Sequence, residues 1–238
     1  RGREISMIFQ DPVRGLNPVL SIGTQVEEIV RAHLGAPRRE ARRRAIEALA
    51  AQGLSNPERI MSAYPFHLSG GMCQRVMIAI ATVLRPRVII ADEPTSPLDV
   101  TIQAAILHEL GTLKRDLGVS LLLITHDLGV VAQLADDVAI MYVGRIVEQG
   151  DARDVFARPS HPYTAGLLAA RPRLDGHASK LQPIRGAPPD LAELGPECAF
   201  LPRCTKVLRI CREEPWPPLR ETASGQRVAC FNPVFHAD

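Results

Sequence analysis

Val88-Ile89-Ile90-Ala91-Asp92-Glu93-Pro94 is the stretch that decides the fold. Its apolar run is rich in β-branched residues, follows Arg85-Pro86-Arg87 and is closed by Pro94. That reads as a strand covered on both faces, the pattern of a parallel sheet. Asp92 and Glu93 follow at its carboxyl end, where open α/β sheets place their ligands. An aspartate there is suited to hold a divalent cation on phosphate oxygens, and the next glutamate to draw a proton from water. On its own the pair reads equally well as surface carboxylates after a core strand.

Downstream lie Leu98-Asp99, a helical stretch from Val100 to about Leu117, and a second apolar run, Val119–Ile124, ending in Thr125-His126. Apolar strands on either side of an amphipathic helix make a βαβ unit. Upstream, Leu68-Ser69-Gly70-Gly71-Met72 opens a helix that runs to about Leu84. Ser69 is a good N-cap, and the two glycines bring the backbone N–H groups and the helix dipole to an anion in front of them. An ordinary capped helix fits the triplet as well. Further upstream Glu4–Phe9 reads as a strand ending at Gln10, and Thr24 to Ala51 is helical in pattern. Beyond His126, a short helix (Gly129–Leu134) leads to the strand Val138–Val143, and Gly144-Arg145 turns the chain into Ile146–Gln149. His126 and Gln10 each stand at a strand end, where they either touch a phosphate and its cation or merely finish the strand.

The chain has 238 residues, enough for one large or two smaller domains with a real core. Its net charge of +2 leaves no footprint for nucleic acid. The run Arg38-Arg39-Glu40-Ala41-Arg42-Arg43-Arg44 reads as a solvated helix face, because Ala45, Ile46 and Leu49 continue an apolar stripe. The longest apolar stretch, Met77–Leu84, is too short to span a bilayer, and Arg1-Gly2-Arg3-Glu4 shows neither a signal peptide nor an initiator methionine. A cytoplasmic chain that begins inside a domain is expected. At about Gly150 prolines become frequent, and Cys198, Cys204, Cys211 and Cys230 cluster in a loop-rich tail, with Cys73 alone. The tail is expected to be held by something other than a large core. Five, six and eighteen residues separate its four cysteines, without the close pairs of structural zinc. Four thiolates suit an iron–sulfur cluster, and the residues alone leave zinc and iron–sulfur open.

The order of these elements carries more than any one of them. Gln10-Asp11-Pro12, Leu68-Ser69-Gly70-Gly71-Met72, Ile89-Ile90-Ala91-Asp92-Glu93-Pro94-Thr95, Ser96-Pro97-Leu98-Asp99 and Ile124-Thr125-His126-Asp127 resemble the Q-loop, signature, Walker B, D-loop and H-loop of an ATP-binding cassette. Leu16-Asn17-Pro18, Met72, Asp99-Val100-Thr101-Ile102-Gln103 and His161-Pro162-Tyr163-Thr164 are similar to the ATPase subunits of dipeptide/oligopeptide (peptide/nickel) ABC importers. No Gly-x-x-x-x-Gly-Lys-Ser/Thr loop is present.

The resemblance implies a P-loop NTPase α/β fold, partial in these residues. A cassette domain over 1–150 would hold an inserted helical subdomain at about 21–86, followed over 151–238 by a small cysteine-bearing C-terminal extension. It implies ATP and Mg²⁺ as ligands, with Asp92 acting through Mg²⁺, Glu93 as base, His126 on the γ-phosphate and Gln10 completing the cation and water contacts. Ser69, Gly70 and Gly71 would serve ATP held by a second ATPase subunit, with Asp99 across that interface. Further partners would be two transmembrane permeases and, indirectly, a substrate-binding protein, with the chain peripheral on the cytoplasmic face of the inner membrane. It also favours a [4Fe–4S] cluster over Zn²⁺ on Cys198, Cys204, Cys211 and Cys230. Cys73, His67 and Pro97 depart from the family pattern, where arginine, an acidic residue and a small residue are usual. The rival readings are a non-catalytic accessory subunit that lends its signature helix to a partner, and a cassette ATPase of DNA repair. The ordinary helices between Gln10 and Ser69 argue against the latter.

Overall fold

In the computed structural model, residues 2–96, 99–170, 183–223 and 225–234 are described. The chain divides into two compact units, Arg1–Val130 and Val131–Asp238. Pro97 and Leu98 of the expected D-loop, and Pro172 of the proline-rich stretch, lie outside the described residues.

The first unit opens with strand β1 (Ile5–Ile8) and helices α1 (Ile22–Leu34), α2 (Arg38–Ala51), α3 (Pro57–Ser62) and α4 (Gly70–Thr82). Strand β2 (Val88–Asp92), helix α5 (Val100–Leu117) and strand β3 (Ser120–Ile124) come next, and α6 (Leu128–Leu134) leads onward. The strands form a parallel sheet in the order β1-β2-β3, with Ile8 opposite Ala91 and Ala91 opposite Leu123. Because side chains alternate across a strand, Ile8, Ile89 and Ala91 are buried on one face. The other face leaves Ile5, Met7, Leu122 and Ile124 exposed.

The helical stretch expected over Thr24–Ala51 is two helices. Gly35 takes the left-handed conformation (φ 61°) and donates its N–H to Arg31 O, closing α1. Pro37, which lacks an N–H, then stands as N-cap of α2. Ile22, Val26, Leu49, Val76 and Ala79 are fully buried in one apolar cluster that ties these helices to α4. The arginine run is a solvated face, as its pattern implied. Arg43 and Arg44 each reach Glu40 at 2.7 Å, and their hydrogen bonds draw its carboxyl down to about 2. Beneath them Ala41, Ala45 and Leu49 are buried.

The second unit begins with a hairpin, β4 (Asp137–Tyr142) and β5 (Arg145–Asp151), turned at Val143-Gly144 with φ of 49° and 72°. Positive φ at both turn residues matches the twist of the flanking strands. Helices α7 (Ala152–Ala157), α8 (Pro162–Ala169) and α9 (Ile210–Glu213) come after it, with short strands β6 (Arg220–Glu221) and β7 (Arg227–Val228). The tail returns to add β7 to β5, with Glu148 opposite Val228, in a four-stranded antiparallel sheet ordered β4-β5-β7-β6. The tail therefore does share a core. Val138, Tyr142, Val147, Val155 and Phe200 are buried together, with Cys198, Cys204 and Trp216 packed against them.

One contact in the first unit is set by a missing side chain. A Cβ on Gly71 would lie 3.1 Å from two carbons of Ile102 on α5. Replacing Gly71 by alanine is expected to lower stability by about 1–3 kcal/mol, the overpacking range. Thermal unfolding of Gly71→Ala, Ile102→Ala and the double variant should show positive coupling, the second change partly relieving the first.

Candidate functional site

The three parallel strands end on the same side of their sheet, and the ladder aligns the residues beyond those ends. Asp92 pairs in register with Ile124. Gln10 lies two residues beyond Ile8, and His126 two beyond Ile124. Gln10, Asp92, Glu93 and His126 thus stand at neighbouring strand ends, about 4.8 Å apart from strand to strand.

Glu93 is bound to the end of β3 through both backbone and side chain. Its N–H donates to Ile124 O at 2.9 Å, continuing the ladder by one bond. Its Oε1 accepts the His126 N–H at 3.1 Å and lies 2.6 Å from His126 Nδ1. To reach this position its backbone is left-handed, with φ 46°. That conformation costs a residue with a Cβ roughly 1–2 kcal/mol, which the bonds to β3 offset. The glutamate side chain is recessed (18% exposed) and the imidazole lies on the solvent side (79%). The hydrogen bond that His126 donates to Glu93, and then the charge of Glu93, raise the His126 pKa above the ordinary imidazole value. The ion pair therefore holds at pH below that raised value and loses its charge as pH climbs through it. Asp92 and Gln10 offer a carboxylate and an amide oxygen at the same edge, a donor set that suits Mg²⁺. Mg²⁺ binds through one or two protein oxygens plus phosphates and waters rather than an all-protein cage.

Ser69, Gly70, Gly71 and Asp99 form a second group, at the starts of α4 and α5. Ser69 Oγ accepts the Met72 N–H at 3.3 Å. Among the described residues nothing lies within 4 Å of where a Gly70 Cβ would stand, so that side of the turn is open. Asp99 Oδ1 caps α5 by accepting the N–H groups of Thr101 (3.1 Å) and Ile102 (3.0 Å). The Gly71–Ile102 contact brings the two helix starts together. Gln103 Nε2 donates to Asp127 Oδ2 at 3.2 Å, joining α5 to the residue after His126. Cys73 is buried, its thiol pushed up by burial and donating to Pro65 O at 3.6 Å, as an inert core thiol does. His67 Nδ1 accepts the Tyr64 N–H at 3.3 Å.

In the second unit Cys198, Cys204, Cys211 and Cys230 line one narrow cavity with Phe200 and Phe231. All four are free thiols. Burial raises the thiols of Cys198 and Cys204, and that of Cys230 to about 11. Among the described residues no group of three or more His, Cys, Asp or Glu is arranged to hold a metal ion. Burial favours the neutral thiol, and thiolates side by side would repel one another. The convergence of four sulfurs on one apolar cavity does fit the donor chemistry of an iron–sulfur cluster.

Beside this cavity lies a polar knot that pattern reading does not find. Glu148 is fully buried, and its carboxylate accepts the N–H groups of Ser160 (2.6 Å) and His161 (2.9 Å). Ser160 Oγ and Gln226 Oε1 are 2.7 Å apart. His161, itself a lining residue of the cysteine cavity, accepts the Tyr163 N–H on Nδ1 at 3.0 Å, and burial lowers its pKa to about 4. His161-Pro162 was legible as a motif. Glu148 was not, because a charged residue in a hairpin strand reads as solvent-facing.

Two measurements test these geometries. The His126 imidazole, followed by NMR, titrates above the ordinary value, and in Glu93→Gln its pKa moves back toward about 6.5. Glu148→Ala, which leaves two buried N–H donors without acceptors, costs about 2–4 kcal/mol in denaturant unfolding.

Two regions of the chain match known families. Residues 1–96 match the ABC transporter family, and residues 147–211 match the oligopeptide/dipeptide transporter C-terminal region. The oligopeptide transport ATP-binding protein AppD of Bacillus subtilis (strain 168) is 50% identical over 231 residues, 97% of this chain and 70% of that protein. OppD of Salmonella typhimurium (strain LT2), also an oligopeptide transport ATP-binding protein, is 47% identical over 98% of this chain and 69% of its own length. Among solved structures, the post-hydrolysis dimer of the cassette MJ0796 bound to ADP and Pi superposes with a TM-score of 0.56 at 31% identity, covering 63% of each chain. The chain belongs to the ABC transporter family, among the ATP-binding proteins of its oligopeptide/dipeptide branch.

Proposed function

We propose that the intact protein carrying these residues hydrolyses ATP as one of the two ATPase subunits of a membrane importer of peptides or related small solutes. The observation that carries the reading is the Glu93 carboxylate, fixed on β3 and 2.6 Å from His126 at the carboxyl edge of a parallel sheet. Asp92 and Gln10 would hold Mg²⁺ there, and Mg²⁺ when bound would neutralise charge on the transferring phosphate. Glu93 takes the proton of the attacking water. Its hydrogen bond to Nδ1 fixes the imidazole of His126, whose other ring nitrogen meets a γ-phosphate oxygen. The phosphate-cradling Gly-x-x-x-x-Gly-Lys-Ser/Thr loop this site requires is not among these residues.

The Ser69–Gly71 turn serves ATP held by the second ATPase subunit, and Asp99 sits at the boundary between the two sites. The space in front of Gly70 supports that assignment. Two permeases receive the motion, a binding protein delivers the solute, and the chain sits peripherally on the cytoplasmic face of the membrane. No helix among the described residues is long and apolar enough to cross a membrane. The cassette passes into its extension near residue 150, a placement supported by the family match that begins at 147. Cys198, Cys204, Cys211 and Cys230 would hold a [4Fe–4S] cluster, a reading supported by their shared cavity. Zn²⁺ is the alternative, and iron, sulfide and zinc content of the natural protein separates the two.

In the full-length protein with its partner ATPase, Glu93→Gln is expected to lower ATP hydrolysis by about 10²–10⁴-fold while ATP still binds. Hydrolysis at the parent rate would remove Glu93 from the reaction.

A further inference from the structure

Helix α4 carries the signature turn, and one of its side chains reaches two other helices. Arg75 Nη1 donates to the carbonyl of Gln52, the C-cap of α2, and stands 3.8 Å from Glu109 Oε2 on α5. Residues four and seven apart lie on one face of a helix. Arg75 therefore shares a face of α4 with Gly71, and Glu109 shares a face of α5 with Ile102. Gly71 packs on Ile102, so the two helices meet at an apolar contact near their starts and at a charged contact further along.

The charged contact is incomplete. Glu109 is 14% exposed, and its Oε2 has no hydrogen-bond partner among the described residues. At 3.8 Å Arg75 compensates the charge without donating a hydrogen bond to it. Gln74, next to Arg75 and fully buried, has neither amide atom partnered among the described residues, and the same holds for Gln52 Oε1. Burial pushes the Glu109 carboxyl up to about 7, with Arg75 pulling the other way. Arg75 is the charged group that faces Glu109 from α4. At the end of α2 it is the Gln52 carbonyl that comes close, while Arg43 and Arg44 are held by Glu40 and Glu47.

We propose that Arg75 and Glu109 are positioning residues for ATP hydrolysis, a role that rests on the ATPase reading above. Charged Glu109 draws Arg75, and α4 with it, onto α5. This sets the Ser69–Gly71 turn against the α5 start at Asp99. Neutral Glu109 leaves Arg75 on Gln52 alone and relaxes the turn.

The test is ATP hydrolysis against pH in the assembled transporter containing the full-length chain, for the parent, Glu109→Gln and Arg75→Lys. In the parent, KM for ATP falls about fivefold between pH 6 and pH 8. Glu109→Gln shows a smaller fall, keeping only the part set by His126, which also titrates in this range, with kcat little changed. Arg75→Lys retains the Glu109 part at reduced size. Because the folded pKa of Glu109 is raised, the parent loses stability as pH rises from the carboxylate range through about 7. Glu109→Gln then unfolds no earlier than the parent at pH 8, which separates a lost contact from a lost fold. Isotope-edited infrared spectra of the Glu109 carboxyl read its charge directly, whether or not ATP is hydrolysed. Glu109→Gln with the parent's pH-dependent KM, or a Glu109 carboxyl ionised throughout, overturns the proposal. A parent complex without ATPase activity overturns the ATPase reading instead.

Discussion

The backbone ladder of a small parallel sheet is the constraint on which the candidate site depends. With β1 bonded to β2 and β2 to β3 in register, the residues beyond each strand have little choice of position. The ladder runs one bond further than the strands, through the Glu93 N–H to Ile124 O. That extra bond sets Glu93 in a left-handed conformation and its carboxylate against His126. A base that must stay aimed at a water gains from such a tether, because rotamer freedom at the reacting group would dilute productive geometries.

The helices answer a different need. The α4 start is open on the Gly70 side and fixed on the Gly71 side. Gly71 achieves the second by omitting a side chain where Ile102 presses in. The α1–α3 packing holds the rest of α4 through a shared apolar cluster. The start of α4 is thus coupled to the start of α5, and α5 is joined through Gln103 to Asp127 beside His126. A short chain of contacts leads from the signature turn to the sheet edge within one compact unit.

Much of this was legible in the sequence because it is periodic or terminal. The apolar run before Asp92, the Ser69 cap and the βαβ order around α5 are local signals, and each element formed where its pattern lay. The split of the first helical stretch was available in Gly35 and Pro37 but was overridden by the apolar periodicity on either side. Tertiary pairings were not legible. Nothing local distinguishes Glu109, facing Arg75, from Glu47 on a solvated face. Glu148 is buried only because the chain returns at Ser160 and Gln226 to cover it. The cysteines were visible as a group, and their shared cavity is a long-range result of β7 joining β5.

The most direct measurement is the structure of the full-length Glu93→Gln protein in its transporter, trapped with ATP and Mg²⁺. A γ-phosphate is expected at the carboxyl edge of β1-β2-β3, between residue 93 and His126, with Mg²⁺ on Asp92. The Ser69–Gly71 turn is expected against a second nucleotide held by the partner ATPase. Nucleotide bound away from that edge, or a Ser69–Gly71 turn facing no nucleotide, would contradict the assignment of this site.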